Sequence, residues 1–215
     1  MLQKAEPTPQ LKEWIDRLAP VVAEAKTILQ HRPAGKLMML TGCTQDADGD
    51  YRLPFFWQEY VISAEEFTVQ RARDGTEPSS FVQSLILTYL VTADGTTPSS
   101  RWVGFRDLPD GMFYAQAYRG YTGIRLVRQL DGGIDAFRRA AEQMESEPVE
   151  AIGDAGYAFA PLPRIRAAVV YWQGDEDLPS QARVLFEDTA CHYMPTDGLA
   201  IIGSHLVGSI LRNAA

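Results

Sequence analysis

Cysteine is scarce in this sequence, since only Cys43 and Cys191 occur among its 215 residues. The two form neither a CxxC pair nor the dense framework of a disulfide-stapled secreted domain. Cytosolic proteins keep their few thiols reduced, so this scarcity indicates a reducing compartment. We therefore expect a cytoplasmic protein.

Long hydrophobic runs are also missing. Residues 1–14, MLQKAEPTPQLKEW, lack the apolar segment of a secretory signal peptide. The longest apolar run, Ala167 to Trp172, is far shorter than the roughly 20 residues that a membrane-spanning helix needs. The sequence therefore predicts no membrane span and no secretion signal.

Basic residues are in deficit. The chain has 20 lysines and arginines against 28 acidic residues, which gives a formal net charge of −8. Such a chain repels phosphate backbones and anionic lipid headgroups, so we expect neither nucleic acid nor membrane as a partner. A content of 46% hydrophobic and 22% charged residues is typical of one globular domain, here residues 1–215.

No known catalytic signature occurs at the spacing that its chemistry requires. Cys191 and His192 are the only adjacent pair of soft metal ligands, and His31 and His205 are the other histidines. Structural zinc sites use paired ligands at short spacing, which this sequence lacks, so it assigns no metal. A histidine acting as a general base or as an axial ligand to a large cofactor stays open.

Apolar periodicity predicts both helices and strands, and therefore an α+β fold. Helical spacing occurs in five segments, with Thr196 as the expected cap of the last one: residues 11–29, 81–91, 122–130, 134–144 and 196–210. Short aromatic or β-branched segments predict an antiparallel meander, followed by later strands: residues 51–57, 60–63, 67–70, 101–105 and 165–172. We expect a single domain whose helices pack on a mostly antiparallel sheet.

The most informative segment is the strand predicted from Ile165 to Trp172. It is apolar at nearly every position, which is typical of a central strand covered on both faces. Arg164 and Arg166 lie at its start, and the acidic turn with Asp175 and Glu176 follows its end. Loops at strand ends often carry binding residues, so this segment indicates a site.

We assign candidate roles to the residues around this strand. Arginine forms planar, bidentate hydrogen bonds with carboxylates, so Arg164 and Arg166 are predicted to bind an anionic ligand. Aromatic rings supply stacking surface, and three are candidates: Trp102, Tyr171 and Trp172. A plainer alternative is that the acids only solvate the turn and that the arginines pair with surface carboxylates.

Two further hypotheses stay open. An enzyme would use Asp175, Glu176 or Asp188 as acid or base, with His192 in the same pocket, and would need these side chains to converge. A protein-interaction module would instead carry a broad apolar patch and bind a partner or a second copy as a homo-oligomer.

Two segments resemble a known family of bacterial and archaeal proteins, domain of unknown function 3786. They are LTYLVTADGTTPSSRWVGFRDLPDGMFY and PLPRIRAAVVYWQGDEDLPSQARVLFEDTACHYMPTDGLAIIG, and the resemblance covers about residues 11–211. The matching characteristic pieces are Trp102 to Phe105, Gly153-Asp154, Pro163-Arg164, Trp172, Gly174-Asp175-Glu176, Leu185-Phe186 and Asp188.

The resemblance implies a role near a tetrapyrrole. Some members of the family are joined to a cysteine-rich iron–sulfur module and occur in a setting of corrinoid and one-carbon metabolism. This chain departs from that arrangement, because two cysteines cannot hold a four-thiolate cluster. We therefore expect an accessory protein that binds a small anionic or tetrapyrrole-like ligand, with a corrinoid among the ligands that the resemblance implies.

Overall fold

The computed structural model describes the backbone of residues 9–130 and 133–214 and the side chains of residues 18–130 and 133–214. Helices combine with two antiparallel sheets, which confirms the α+β class. The contacts divide the chain into two compact units, Met1–Ala93 and Asp94–Ala215. The single domain expected over residues 1–215 stays a prediction.

The first unit is a four-stranded antiparallel meander with three helices, in the sheet order β1-β2-β3-β4. Its elements are α1 (Pro9–Leu29), α2 (Ala34–Thr41), β1 (Thr44–Gln45), β2 (Tyr51–Phe55), β3 (Gln58–Ile62), β4 (Val69–Arg71) and α3 (Ser80–Thr92). The meander confirms the strands predicted between residues 51 and 70. Alternation explains β2, because Tyr51, Leu53 and Phe55 are buried while the residues between them are not.

Two polar contacts fix the helices of this unit. Arg32 donates from Nη1 to the Leu90 carbonyl at 2.8 Å and from Nη2 to the Val91 carbonyl at 3.0 Å, so its guanidinium satisfies the carboxyl end of α3. The Tyr89 hydroxyl donates to the Thr41 carbonyl at the end of α2, at 2.5 Å. Both contacts supply partners for carbonyls that a helix end leaves unpaired.

The second unit is a five-stranded antiparallel sheet with helices packed against it, in the order β5-β9-β8-β7-β6. Its strands are β5 (Trp102–Gly104), β6 (Glu147–Pro148), β7 (Ala155–Leu162), β8 (Ile165–Trp172) and β9 (Gln181–Glu187). Its helices are α4 (Gly111–Arg119), α5 (Arg125–Gln129), α6 (Gly133–Glu142) and α7 (Thr196–Ala214). A π-helical turn, Gly120–Ile124, joins α4 to α5.

The strand predicted over residues 165–172 is confirmed, and it lies in the centre of the sheet. All of β8 is buried except Arg166 and Trp172, which are half-buried. Tyr171 is 2% exposed and stacks on Phe137 of α6, with the ring centroids 5.7 Å apart, so α6 covers part of the sheet there. An all-apolar strand is stable in this position because both of its faces exclude water.

The structure adds one helix to the second unit and corrects the expected role of Thr196. Residues 111–119 form a helix that the pattern did not predict, because Asp110 and Gly111 read as a turn and the aromatic residues after them favour strands. Thr196 does not cap α7 but begins it, and its hydroxyl donates to the Pro109 carbonyl at 2.6 Å. Within the described ranges, no helix is both long and apolar enough to cross a membrane.

We predict that Arg32 stabilises the first unit through its paired hydrogen bonds. Arg32→Met should lower the free energy of unfolding by about 1–3 kcal/mol, because two carbonyls at the carboxyl end of α3 lose a charged hydrogen-bond donor. Arg32→Lys should recover only part of this, since an ammonium group cannot span both carbonyls in a fixed fork. Urea denaturation measures the difference. The exposed Lys36→Met is the control, and an equal loss in both variants would contradict the prediction.

Candidate functional site

Several predicted site residues meet where β8 begins and β9 ends. The antiparallel register pairs Ala167 with Phe186, and Trp102 of β5 with Glu187, so the start of β8 lies beside the end of β9. A turn of 3-10 helix, Asp188–His192, follows directly. We call the polar residues gathered here the sheet-end cluster: Asp94, Thr96, Ser99, Ser100, Arg101, Glu187, Asp188, Thr189 and His192.

Asp188 accepts contacts at both of its carboxylate oxygens within this cluster. Its Oδ1 accepts a hydrogen bond from Ser99 Oγ, and its Oδ2 lies 2.7 Å from Arg101 Nε and 2.6 Å from Arg101 Nη2. These contacts with Ser99 and Arg101 lower the pKa of Asp188. An ionised carboxylate that accepts at both oxygens holds two chain segments together.

His192 is oriented by Asp94. Its Nδ1 lies 2.8 Å from Asp94 Oδ2 and 3.2 Å from Thr96 Oγ1. Desolvation acts to raise the pKa of Asp94, but the hydrogen bonds with His192 and Thr96 outweigh it and lower that pKa to about 2. A carboxylate on Nδ1 leaves Nε2 as the acceptor, which is the tautomer that a general base uses. Both side chains are about half-exposed.

Glu187 is the most deeply buried member of the cluster, with only 1% of its surface exposed. It accepts the Ser100 amide at 2.6 Å and the Thr189 hydroxyl at 3.4 Å. Ser100 has φ of 61°, a left-handed conformation that is unfavourable for serine. A buried carboxylate therefore holds the strained backbone at Ser100.

The two predicted arginines lie at this end of the sheet. Arg166 pairs with Glu147 through Nη2, and its guanidinium lies 6.0 Å from the Trp102 ring centroid. Burial raises the pKa of Tyr193, and the charge of nearby Arg164 opposes that rise. Arg166 thus has a carboxylate partner within the protein, as in the plainer alternative.

The other candidates lie at the opposite end of β9. This seven-residue strand separates Asp188 from the loop before Gln181 by about 20 Å, so Asp175 and Glu176 cannot share a pocket with His192. Asp175 instead accepts the amides of two later loop residues, and these bonds lower its pKa. The convergence that an enzyme built on all four residues requires is absent from this geometry.

The two aromatic candidates of β8 lie toward the same end as the acidic turn. Tyr171 is buried against α6 and has no surface for a ligand. Trp172 is half-buried, and the Arg183 guanidinium lies 5.6 Å from its ring centroid. Of the three predicted stacking rings, Trp102 alone belongs to the sheet end that also holds Arg166.

A cavity of about 660 Å³ lies in the second unit, beside β9. Its walls are the 3-10 turn Phe105–Asp107, the helix Gly111–Arg119 with the π-helical turn, and β9. Three of the residues that line it are Arg106, Arg119 and Arg183, and we call it the arginine cavity.

Two glycines bring the walls of the cavity together. A Cβ on Gly123 would lie 1.9 Å from the Ala182 carbonyl oxygen, and a Cβ on Gly111 would lie 1.9 Å from the Phe105 carbonyl oxygen. Only glycine allows backbones to approach so closely. Strand β5 ends at Gly104, opposite Leu185, so the π-helical turn takes its place beside the first half of β9. Such turns occur frequently at functional sites.

The side chains of the three arginines form neither an ion pair nor a hydrogen bond with any residue that the structure describes, and the Arg183 guanidinium lies over the Trp172 ring. The one acidic lining residue, Asp107, accepts the Gly104 amide at 3.2 Å. The apolar part of the lining includes Phe105 and Tyr118, whose rings stack with centroids 3.9 Å apart, and Met112. The cavity therefore combines surplus positive charge with an apolar wall.

Sequence reasoning missed this cavity. Its arginines lie at positions 106, 119 and 183 with no common spacing, and strand pairing brings the third one to the others. The available signal was the pair Gly120 and Gly123 within a helical segment, since glycine is unfavourable there unless a close approach requires it.

One comparison with known proteins gives a match. A family model described as Domain of unknown function (DUF3786) matches residues 35–209. That range contains the sheet-end cluster and all three cavity arginines. No curated protein and no solved structure matches the chain.

We predict that Gly123 is required for the cavity wall. Gly123→Ala should lower the free energy of unfolding by about 1–3 kcal/mol, because the new methyl group would overlap a strand carbonyl. Gly120→Ala is the matched control in the same turn: a Cβ there meets nothing within 4 Å, so alanine should stabilise by up to about 1 kcal/mol. Urea denaturation measures both. Equal effects of the two substitutions would refute the assigned role.

The Asp94 pair predicts a pH dependence of stability. A carboxyl group whose folded pKa is depressed stabilises above its ordinary pKa, and this contribution is lost as the pH falls toward about 2. Because the pair is half-exposed, Asp94→Asn should cost at most about 1 kcal/mol near pH 6. The difference from the parent should shrink below about pH 4. Denaturation at several pH values tests this, with the exposed Asp48→Asn as control; a difference that grows in acid would contradict it.

Proposed function

The chain belongs to the DUF3786 family, and we propose that it binds a small anionic ligand with an apolar body in the arginine cavity. The observation that carries the proposal is the set of three arginines without carboxylate partners among the described residues around one cavity. Arginine is suited to this role, because its planar donors form bidentate hydrogen bonds with carboxylates and phosphates.

The charge of the cavity differs in sign from that of the whole chain. The protein carries a formal net charge of −8, yet the cavity lining has three arginines and one aspartate. Three arginines without carboxylate partners among the described residues around one concave site support an anion supplied from outside.

The size and lining of the cavity support an organic ligand over a bare inorganic ion. Small-molecule sites commonly have volumes of about 300–1,000 Å³ and an apolar lining with a few polar anchors. The cavity falls within this range, with Met112 and the Phe105–Tyr118 stack as apolar surface. A tetrapyrrole, which carries carboxylates around an apolar ring, belongs to this class of ligand. An accessory binding role requires no catalytic group.

The candidate arginines at the sheet end support the proposal less than the cavity arginines do. Arg166 already pairs with Glu147, and neither Arg164 nor Arg166 lines the arginine cavity. Their assignment to the same ligand stays a prediction. A ligand that needed them would bind at the other end of β9.

Thermal denaturation with added ligands tests the proposed function. Inorganic phosphate, a dicarboxylate and a protoporphyrin are the probes, and an absorbance spectrum of the protein as purified would reveal a retained pigment. A ligand at about 100 times its Kd stabilises the folded state by about 2.7 kcal/mol, which is a readily measured shift in Tm. At least one organic anion should raise the Tm more than phosphate does.

Substitutions separate specific binding from a general charge effect. Arg119→Gln and Arg183→Gln should each reduce the ligand-induced shift in Tm. Arg128→Gln is the matched control, because Arg128 is exposed on α5 and does not line the cavity. The proposal fails if none of the probes raises the Tm, or if Arg128→Gln reduces the shift as much as the cavity substitutions do.

A further inference from the structure

The acidic loop, residues 174–178, is a rigid projection of the second unit. Asp175 accepts the amides of Asp177 at 2.9 Å and Leu178 at 2.8 Å, and its own amide donates to the Leu178 carbonyl at 2.9 Å. A Cβ on Gly174 would lie 2.4 Å from the Ser180 nitrogen, so the turn is tightly closed. This geometry fixes the loop at the amino end of β9.

The tip of the loop combines charge with an exposed apolar side chain. Asp175, Glu176 and Asp177 are exposed, and no ion pair joins any of them to a basic residue of the described ranges. Leu178, next to them, has 64% of its surface exposed. An isolated leucine at the tip of a rigid acidic turn is suited to insertion into a cationic pocket with an apolar wall.

The arginine cavity offers the complementary surface. Its guanidinium groups lack carboxylates, and Met112, which is 63% exposed, gives it an apolar rim. Phe113 and Tyr114 follow on the same turn of α4, with 89% and 60% of their surface exposed. Aromatic residues, methionine and arginine are the residue types enriched in protein interfaces.

The positions of loop and cavity suit a symmetric pair. Only Pro179 and Ser180 separate the acidic loop from Gln181, the first residue of β9, and the cavity begins at Ala182, so both features lie at the same end of β9. The loop is closed on itself and makes no ion pair with the Arg183 of its own strand in the part of the chain described. Two copies can exchange such neighbouring, complementary features around one two-fold axis.

We propose that the arginine cavity receives the acidic loop of a second copy of this chain, which gives a two-fold homodimer. The loop carboxylates meet the cavity arginines of the partner, and Leu178 packs against the partner's apolar rim. The dimer uses the same cavity as the proposed function, and its competition with a small anion rests on that function. Ligand binding then releases the acidic loop and shifts the protein toward monomer.

Sedimentation equilibrium of charge-reversed variants tests the dimer. The unmodified protein should dimerise in a concentration-dependent way. The double substitution Glu176→Lys with Asp177→Lys should weaken self-association by about tenfold or more, and so should Arg119→Glu with Arg183→Glu, because each places like charges together. Combining all four substitutions should restore dimerisation, since the charges are then exchanged across the interface.

The control variant carries Glu65→Lys with Glu66→Lys, which changes the net charge by the same amount as the loop variant. Glu65 and Glu66 are exposed in the turn between β3 and β4, and their substitution should leave self-association unchanged. The proposal is overturned if the unmodified protein is monomeric at every concentration, if the four-fold variant does not recover, or if the control weakens self-association as much as the loop variant.

Ligand measurements distinguish failure of this inference from failure of the proposed function. If the monomeric loop variant is still stabilised by a dicarboxylate or a protoporphyrin while the unmodified protein never dimerises, the dimer inference alone fails. If the charge exchange restores dimers but no probe stabilises any variant, the proposed function alone fails. A ligand that raises the Tm and leaves the dimer fraction unchanged overturns the competition between the two.

Discussion

The antiparallel pairing of β8 with β9 is the constraint on which the candidate sites depend. It places the start of β8 beside the end of β9, so Arg166 approaches the segment that begins at Asp188, while the acidic loop lies at the far end. The pairing thereby separates the acidic loop from the arginine at the start of β8, although the two are close in sequence. It brings that arginine close to the segment after β9, which is farther away in sequence. The buried faces of β8 hold this pairing in one register, because a shift by one residue would expose its apolar side chains.

This pairing also explains how far the sequence could predict the molecule. The central strand at residues 165–172, the meander and the helix beginning at Ser80 were predictable, because each is encoded by a local pattern of apolar residues. The helix at Gly111–Arg119 was not, since its buried face is narrow and Phe113 and Tyr114 are exposed. Its stability comes from packing that a local pattern does not show.

The candidate site was less predictable than the fold, because it joins segments that are remote in the chain. Arg183 reaches the cavity through strand pairing, whereas Arg106 and Arg119 reach it through a turn and a helix. Asp188 and His192 were candidates in the sequence analysis, but their partners Arg101 and Asp94 come from a segment about 90 residues earlier. Sequence spacing carries no information about such encounters when no motif encodes them.

The glycines that form the cavity wall lower the stability of the folded chain, and this cost supports a functional role for the cavity. Glycines at positions 111 and 123 lose more conformational entropy on folding than other residues, and Gly123 lies in a π-helical turn, which is rare in proteins. A protein with 28 acidic residues could neutralise three arginines with its own carboxylates. Arginines left unpaired in the described structure fit the proposal of an anion that arrives from outside the chain, whether a small ligand or the acidic loop of a second copy.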